Sequence, residues 1–530
     1  MNAPRAFPPI ATPRASTAAP APTSAAASAR PGRTTPDAGP AATGGPPAPT
    51  VRTTAQHFIG GRFVPPVRGE TLPMLDPSDG KPFASIARGG APDVDAAVRA
   101  ARAAFEGAWG RLSPAEKGRK LAALSRAIAD HADELAWLEA RDCGKPMTQA
   151  RADVVACARY FEFYGGACDK FHGETLPYPE GYTVLTWREP HGVTGHIIPW
   201  NYPLQIFGRS VGGALAAGNA CVVKPAEDAC LSLLRVAELA TAAGLPDGAI
   251  NVVTGLGREA GAALAAHPGI DHISFTGSPP TGTAVAQEAA KRHCPVTLEL
   301  GGKGPQIVFA DADLDAALPV LVNAIVQNAG QTCSAGSRLL VERSRYEEVL
   351  ERLGARFAAL RVGPALADLD CGPLIRDSQH KRVQGFLADA ARDGLVVVGQ
   401  GTVAADAPAS GYYAAPTLLR DVPPGSRLAC EEVFGPVLAA MPFADDAEAV
   451  RIANGTDFGL VAGVWTNDGG RQLRMARAIR AGQVFVNNYG AGGGVELPFG
   501  GVRHSGHGRE KGFEALYGFT ALKTVVLRHG

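Results

Sequence analysis

The sequence lacks an excess of charge of either sign, because its 51 lysine and arginine residues equal its 51 aspartate and glutamate residues. A balanced chain has no broad positive field to attract nucleic acid or an anionic membrane, which excludes both as main partners. The sequence also lacks long apolar runs: GVTGHIIPWNYPLQIFG is short and broken by proline, so no membrane span is predicted. Small molecules and other copies of the chain remain as the expected partners.

The nine cysteines form no Cys-x-x-Cys pair, are odd in number and follow no signal-peptide apolar segment. This pattern is typical of thiols kept reduced in a cytosol, so a cytoplasmic location is expected. Five tryptophans and ten tyrosines are too few and too scattered to assign an aromatic cage for a cationic substrate.

No metal site is predicted. Asp311, Asp313 and Asp315 have the spacing of a calcium loop. However, Ala316 and Val322 occupy the positions that need a glycine and a bidentate glutamate. The start of a helix is expected there instead.

Length and composition predict two or three domains after a disordered tail. A chain of 530 residues is too long for one ordinary core, and 46% hydrophobic with 19% charged residues is a globular composition. Residues 1–55 are Ala, Pro, Ser, Thr and Gly with scattered arginines and one acid, so disorder is predicted. An organelle presequence would also be acid-poor, but prolines from Pro4 to Pro49 would break its amphipathic helix.

Local patterns after residue 55 predict hairpins and helices. Apolar pairs flank Gly60-Gly61 in QHFIGGRFV, which is a hairpin signal. Helical spacing of apolar residues follows Asp93, and SPAE at 113–116 is a capping box with proline at the first helical position. The segment from Thr175 to Glu189 alternates around a Pro-Glu-Gly turn, so a hairpin that protrudes or pairs with another subunit is predicted.

From Gly192 to about Leu300, short apolar strands alternate with Ala-rich helical stretches. The strand-like segments are GVTGHIIP, ACVVKP, INVVTG, HISFTGS and PVTLELGG. This alternation predicts a doubly wound α/β sheet that binds a ligand, by default a nucleotide, at the carboxyl ends of its strands. A second α/β unit is predicted from Pro305 to about Val486, followed by a glycine-rich segment and the strand-like LKTVVL.

Two segments are candidates for binding the phosphates of such a nucleotide. GLGREA, from Gly255 to Ala260, satisfies G-x-G-x-x-A after a strand, but one such match is a weak signal. In FTGSPPTG a strand turns at Gly277-Ser278, and two prolines suit the start of a helix whose free amide groups can meet a pyrophosphate. A plain strand-to-helix turn is the alternative.

The motifs KPAE and PWNYP supply polar side chains near strand ends. Lys224 and Glu227 can hydrogen-bond a ribose diol, and the carboxylate would repel a 2′-phosphate. Asn201 lies between two prolines, which hold its amide on a stiff backbone as an oxyanion donor requires. A solvated turn and an ordinary asparagine turn are the respective alternatives.

Two further residues have the character of a base and a nucleophile. Glu299 ends an apolar strand between Leu298 and Leu300, where partial desolvation would raise the pKa of its carboxyl toward the working range of a general base. Cys333, in QNAGQTCSAGSRLLV, lies on a loop among small and polar residues, where backbone amide groups can approach its sulfur. Taken singly, each also fits a structural role, as a surface glutamate or an inert thiol.

In their joint order these motifs resemble the aldehyde dehydrogenase superfamily over about residues 55–527. The matching stretches are PWNYP, KPAE, FTGSPPTG, LELGGK, GQTCSAGSR, EEVFGPV, GQVFVNN and PFGGVRHSGHGRE. The separation of Glu299 and Cys333 is similar to that of the family's base and nucleophile. The resemblance implies an α/β, aldehyde dehydrogenase-like fold with a doubly wound Rossmann-type cofactor domain, an α/β catalytic domain and a small β oligomerisation element.

The domains implied are discontinuous. Residues 56–170 and 191–298 would form the NAD-binding domain, and 299–487 the catalytic domain. Residues 171–190 and 488–530 would form the oligomerisation element and C-terminal segment. Strand pairing through that element would give a homodimer or homotetramer.

The implied activity is NAD-dependent oxidation of an aldehyde to a carboxylic acid. The Cys333 thiolate would attack the aldehyde carbon, while the Asn201 amide and the backbone N–H of Cys333 hold the oxyanion. After hydride transfer to the nicotinamide, Glu299 would activate the water that hydrolyses the thioester. The residues implied to bind NAD are Trp200, Lys224, Glu227, Gly277, Ser278 and Gly282 for adenosine and pyrophosphate, and Glu432 and Phe434 for the nicotinamide ribose.

The chain departs from the family at three kinds of position. Many members carry a lysine nine positions after the oxyanion asparagine, where this chain has Ser210 beside Arg209, so a proton relay from Glu299 through a lysine to Glu510 is in doubt. Arg503 and Phe519 replace a usual lysine and tyrosine. The loop Gly490 to Glu496 is glycine-rich where the family is often bulkier, so the substrate is not implied.

Two alternatives remain open. An acylating enzyme would pass the thioester to coenzyme A or phosphate, but the water activated by Glu299 would compete with that acceptor. A non-catalytic nucleotide-binding scaffold would bind the cofactor without turnover, and the joint presence of Asn201, Glu299 and Cys333 argues against it.

Overall fold

The computed structural model describes residues 55–490 and 494–529. The tail predicted at residues 1–55 lies outside this range except for Ala55, as do residues 491–493 of the glycine-rich loop. Within the described ranges, no helix has the length and apolar character needed to cross a bilayer.

Twenty-two strands alternate with helices along the described chain. The strands are β1 His57–Ile59, β2 Arg62–Val64, β3 Thr71–Asp76, β4 Lys81–Ala87, β5 Thr175–Leu176, β6 Tyr182–Pro190, β7 Val193–Ile198, β8 Ala220–Pro225, β9 Ile250–Val252, β10 His272–Thr276, β11 Val296–Glu299, β12 Pro305–Val308, β13 Arg338–Glu342, β14 Arg361–Val362, β15 Val396–Gln400, β16 Thr402–Val403, β17 Thr417–Arg420, β18 Val437–Phe443, β19 Val461–Trp465, β20 Gln483–Val486, β21 Gly506–His507 and β22 Thr520–Arg528.

The α-helices are α1 Ala91–Glu106, α2 Pro114–Asp130, α3 Ala132–Cys143, α4 Met147–Ala167, α5 Pro203–Ala216, α6 Leu231–Ala242, α7 Ala262–Ala266, α8 Pro279–Ala290, α9 Leu314–Val326, α10 Tyr346–Ala358, α11 Asp377–Arg392, α12 Arg427–Cys430, α13 Asp446–Ala453, α14 Gly469–Ala478 and α15 Glu514–Gly518. Their ends follow the sequence signals. Ser113 accepts a hydrogen bond from the backbone N–H of Glu116 in a capping box before α2. Asp313, from the calcium-like run, caps α9 as expected.

The first large sheet has the order β2-β1-β9-β8-β7-β10-β11-β21. Its centre, from β9 to β11, is parallel, and β7, β8, β9 and β10 are each followed by a helix. The strands are buried on both faces, which explains why they read as continuous apolar runs. The predicted doubly wound sheet is therefore present, and the Gly60-Gly61 hairpin pairs Phe58 with Phe63 at its edge.

The second large sheet has the order β15-β17-β18-β13-β12-β19-β20 and is parallel except for the pair β15 and β17. It has its own core, in which large apolar side chains such as Phe357, Phe386 and Phe443 are buried. This is the predicted second α/β unit. The domain boundaries assigned from sequence stay a prediction.

A small sheet joins distant parts of the chain in the order β22-β6-β5. The predicted hairpin is formed by β5 and β6, and β22 pairs with β6 over nine residues, from Thr520 with Pro190 to Arg528 with Tyr182. Trp187, on β6, is exposed. So are Leu522 and Val526 of β22, which the register with β6 places on the face of this sheet opposite Trp187.

Candidate active site

Two cavities of similar size meet at the same two residues. The sheet-side cleft, about 820 Å³, is lined mainly by the carboxyl ends of β7, β8, β10 and β11. The helix-side cavity, about 810 Å³, is lined mainly by α4, α5 and α9 and by a C-terminal segment. Asn201 and Cys333 line both. A group bound in either cavity therefore reaches the same thiol.

Seven of the eight residues predicted to bind NAD line the sheet-side cleft: Trp200, Lys224, Glu227, Gly277, Ser278, Glu432 and Phe434. They converge because β7, β8 and β10 run in parallel and end at the same edge of the sheet. The Nζ of Lys224 donates a hydrogen bond to Glu227 Oε2 at 3.0 Å, close to the end of β8. The rings of Trp200 and Phe434 meet edge to face, with centroids 5.4 Å apart.

The structure does not place Gly282 in the cleft lining. This residue lies inside α8, where its backbone N–H donates to the carbonyl of Ser278 at 2.9 Å. A Cβ on Gly282 would come within 2.6 Å of the Leu300 side chain. Glycine at this position is thus explained by the close packing of α8 on Leu300.

The Glu432 carboxyl binds backbone next to the catalytic candidates. Its Oε1 accepts a hydrogen bond from the N–H of Gly302 at 2.9 Å. Burial raises the pKa of Glu432 to about 7, against the opposing effect of that N–H. At neutral pH this carboxyl can act as acceptor or donor toward a hydroxyl in the cleft.

The loop that carries Cys333 is tied to the loop that carries Asn201 by two amide side chains. After α9, Asn328, Ala329 and Gly330 adopt left-handed backbone angles, with φ of 49°, 53° and 72°. The Nδ2 of Asn328 donates to the carbonyl of Asn201 at 2.8 Å, and the Nδ2 of Asn201 donates to the carbonyl of Gln331 at 3.0 Å. These bonds fix the Asn201 amide beside Cys333.

Cys333 is a protonated thiol at neutral pH in this environment. Burial raises the pKa of its thiol to about 11, and the positive charge of Arg209 opposes the shift only in part. The other eight cysteines are also free thiols, and most are fully buried. Cys333 differs from them because it lines two cavities at once.

Glu299 is almost completely buried at the end of β11, opposite Thr276 of β10. Neither of its carboxyl oxygens has a hydrogen-bond partner among the described residues. Burial raises the pKa of Glu299 well above its usual value, and the nearby Glu510 adds to the rise. A carboxylate whose pKa is raised takes up a proton more readily, as a general base must.

Comparison with known proteins decides the family. The model of the aldehyde dehydrogenase family matches residues 63–525. The chain belongs to the aldehyde dehydrogenase family.

Individual relatives of this aldehyde dehydrogenase cover nearly all of the described chain. An aldehyde dehydrogenase from Emericella nidulans is 41% identical and covers 89% of this chain and 95% of its own. A solved structure from Burkholderia cenocepacia, of a protein assigned as an aldehyde dehydrogenase, is 72% identical, covers 90% of this chain and 100% of its own, and has a TM-score of 0.89. An NAD+ complex of the aldehyde dehydrogenase from Bacillus cereus is 39% identical, covers 90% and 97%, and has a TM-score of 0.87. The family and the α/β fold predicted from sequence are confirmed.

In this aldehyde dehydrogenase, Arg209 and Glu510 form a buried ion pair where sequence analysis doubted a lysine relay. Ser210 donates to the hydroxyl of Ser274 at 3.1 Å, and Ser274 donates to Glu510 Oε1 at 2.7 Å. The Ser210 hydroxyl also meets Nδ1 of His196. The position of the absent lysine is thus filled by a hydroxyl network that holds Glu510.

Sequence analysis missed three residues of this site. Asn328 and Gln331 brace the nucleophile loop, and Lys511 lines the helix-side cavity. Two polar amides beside a cysteine in QNAGQTC were a usable signal for the first two, because asparagine tolerates the left-handed conformation. Lys511 gave no signal, because its place in the cavity depends on the fold of the C-terminal segment.

Proposed function

We propose that this chain oxidises an aldehyde to a carboxylic acid with NAD as the hydride acceptor and Cys333 as the nucleophile. The observation that carries the proposal is that the two cavities meet at Cys333 and Asn201. The sheet-side cleft would hold the cofactor and the helix-side cavity the aldehyde. Family membership together with NAD complexes of solved relatives confirms the predicted enzyme class and cofactor.

The residues of the sheet-side cleft fit a dinucleotide. Lys224 and Glu227 offer a donor and an acceptor for a ribose diol, and the aromatic rings of Trp200 and Phe434 border the cleft. At the start of α8, Pro279 and Pro280 carry no N–H and the N–H of Gly282 donates to Ser278, so the backbone N–H of Thr281 is the first-turn group that would bind a pyrophosphate. Glu432 would bind the second ribose. Bound NAD supplies the hydride acceptor.

Cys333 would form and release the covalent intermediate. The thiol first gives its proton to solvent, and the thiolate so formed attacks the aldehyde carbon while the charge moves to the former carbonyl oxygen. The Asn201 amide nitrogen has two hydrogens, one of which binds the Gln331 carbonyl, so the other is available to that oxygen. Loss of hydride from the carbon then leaves a thioester on Cys333.

Glu299 would serve the hydrolysis. Its raised pKa allows the carboxylate to accept a proton from water, and the resulting hydroxide attacks the thioester carbon. The carbon–sulfur bond breaks, the acid leaves, and the departing thiolate takes the proton held by Glu299, which restores the Cys333 thiol and the Glu299 carboxylate. The acylating alternative needs this water to be excluded, and the partnerless Glu299 carboxyl facing the cleft supports hydrolysis instead.

The assembly and location proposed follow the sequence expectations. Leu522 and Val526 are each 55% exposed on one face of the small sheet, so this apolar surface supports a homodimer or homotetramer built by strand pairing. The domain boundaries are proposed from the sequence as well: an NAD-binding domain of 56–170 and 191–298, a catalytic domain of 299–487, and an oligomerisation element and C-terminal segment of 171–190 and 488–530. The cytoplasmic location is also proposed from the sequence.

The test is NADH formation by the purified protein over aliphatic, aromatic and semialdehyde substrates, with and without coenzyme A. Cys333→Ala should lower turnover by about 10⁴-fold or more, since removal of a catalytic nucleophile costs this much in comparable enzymes. Cys294→Ala is the matched control, because that thiol lies outside both cavities. Turnover that survives Cys333→Ala, or that requires coenzyme A, would overturn the proposal.

A further inference from the structure

The helix-side cavity carries an unusual charge for an apolar aldehyde. Two cationic side chains, Arg209 and Lys511, line it together with Cys333. We infer that this cavity selects aldehydes that carry a carboxylate, and that Lys511, aided by Arg209, is the residue that recognises it. The inference rests on the proposed function and names its substrate class.

Both cations lie against one ring beside the thiol. The guanidinium carbon of Arg209 is 5.0 Å from the centroid of Phe499, and Lys511 Nζ is 5.2 Å from the same centroid. Phe499 belongs to a small apolar cluster against which Cys333 and Tyr489 pack. An aldehyde seated at Cys333 that extends along Phe499 therefore brings its far end to the two cations.

The acids around the inner end of the cavity are already held by other groups. Glu510 is ion-paired with Arg209, and Asp153 is bound by Lys145 and by the Gln205 amide at 2.6 Å. Glu299 lines the sheet-side cleft and not this cavity. The formal charges of Arg209, Lys511 and Glu510 thus add to plus one at the inner end, which favours an anion over a neutral chain.

The mouth of the cavity does not reverse this preference. Asp368 binds the backbone N–H and the hydroxyl of Thr148, and Asp370 accepts from the backbone N–H of Arg361. Both acids lie near the surface, where water and salt screen them strongly. The inner cations lie among Phe499 and Tyr160, where a charge interaction is stronger.

The experiment compares aldehydes of equal length with and without a terminal carboxylate: succinic semialdehyde with butanal, and glutaric semialdehyde with pentanal. In the wild type, at least one carboxylate-bearing aldehyde should have kcat/KM about 10- to 100-fold above its neutral partner, as one charge-assisted contact contributes. Lys511→Met should remove most of this ratio, and Lys511→Arg should restore it. A variant that changes kcat/KM equally for the carboxylate-bearing and the neutral aldehyde leaves this ratio unchanged.

Lys291→Met is the matched control, because Lys291 is exposed on α8 and pairs with Glu288. It should leave the ratio unchanged. A second measurement needs no variant: succinate should inhibit butanal oxidation competitively at a concentration about tenfold or more below that of butanamide, which has no carboxylate.

The outcomes separate the two proposals. No NADH from any aldehyde would refute the proposed function. Oxidation of butanal and pentanal with ratios near one, or a ratio that survives Lys511→Met, would overturn the present inference alone. Loss of kcat on all four aldehydes in Lys511→Met with the ratio retained would show that Lys511 acts on Cys333 and not on the substrate.

Discussion

The sheet-side cleft and the helix-side cavity have almost the same volume, about 820 and 810 Å³, but different secondary-structure elements line them. The cleft is formed where parallel strands end, so the backbone of the sheet places its polar groups. The cavity is formed by helix faces and a C-terminal segment, so individual side chains decide its charge and shape. The cofactor that a family shares can therefore be predicted from contiguous sequence motifs. The substrate of one member depends on side chains that are scattered along the sequence.

Glu299 offers the strongest test of this division, because it lines the cleft but not the cavity. Glu299→Gln should lower steady-state turnover by up to about 10⁴-fold, since a general base is lost from thioester hydrolysis. A first burst of about one NADH per site should remain, because the thioester still forms. Rapid-mixing absorbance measures both quantities. Absence of the burst would place Glu299 earlier in the reaction; Glu288→Gln, exposed on α8, is the control.

Cys333 lines both the cleft and the cavity. The pH dependence of its reactivity tests how strongly burial raises the pKa of its thiol. Without cofactor, alkylation of Cys333 by iodoacetamide should accelerate about tenfold per pH unit, or about 10³-fold from pH 7 to pH 10, because only the thiolate reacts and its pKa is raised to about 11. Mass spectrometry of the Cys333 peptide gives the rate. A rate that levels off near pH 8 would show that Arg209 outweighs burial.

Substitution of Glu227 should change the cofactor preference of the cleft and leave aldehyde binding in the cavity unaffected. Glu227→Gln should raise the ratio of kcat/KM for NADP to that for NAD by about tenfold, because the carboxylate that repels a 2′-phosphate is removed. Initial rates with both cofactors measure this ratio. The KM for the aldehyde should stay within about twofold, since Glu227 lies outside the helix-side cavity. An unchanged cofactor ratio would refute the assigned role of Glu227.

Substitution of Gly282 should have the smallest effect, and it tests whether this glycine is needed for packing or for contact with the cofactor. Gly282→Ala should destabilise the protein by about 1 to 3 kcal/mol, because the added methyl group meets Leu300. The midpoint of thermal unfolding should fall by a few degrees, while the dissociation constant for NAD changes little. A large loss of NAD affinity with unchanged stability would restore the role that sequence analysis assigned to this glycine.

Sequence analysis predicted the cleft far better than the cavity, and the reason is physical. The motifs around Asn201, Lys224 and Gly277 are contiguous, and each follows a buried strand whose end fixes where it lies. The Gly60-Gly61 hairpin, the α2 capping box and the Asp313 helix cap were likewise local and are present. Lys511 and the ion pair of Arg209 with Glu510 depend on contacts between segments three hundred residues apart, which no local pattern encodes.

The pairing of β22 with β6 has a consequence for how the enzyme comes into being. Arg528 pairs with Tyr182, so this sheet closes only after the whole segment between β6 and β22 has left the ribosome. The segment with Phe499, Glu510 and Lys511 emerges shortly before β22. Until that segment emerges, the nascent chain carries Cys333 without its finished cavity, because Phe499 and Lys511 have not yet joined the lining.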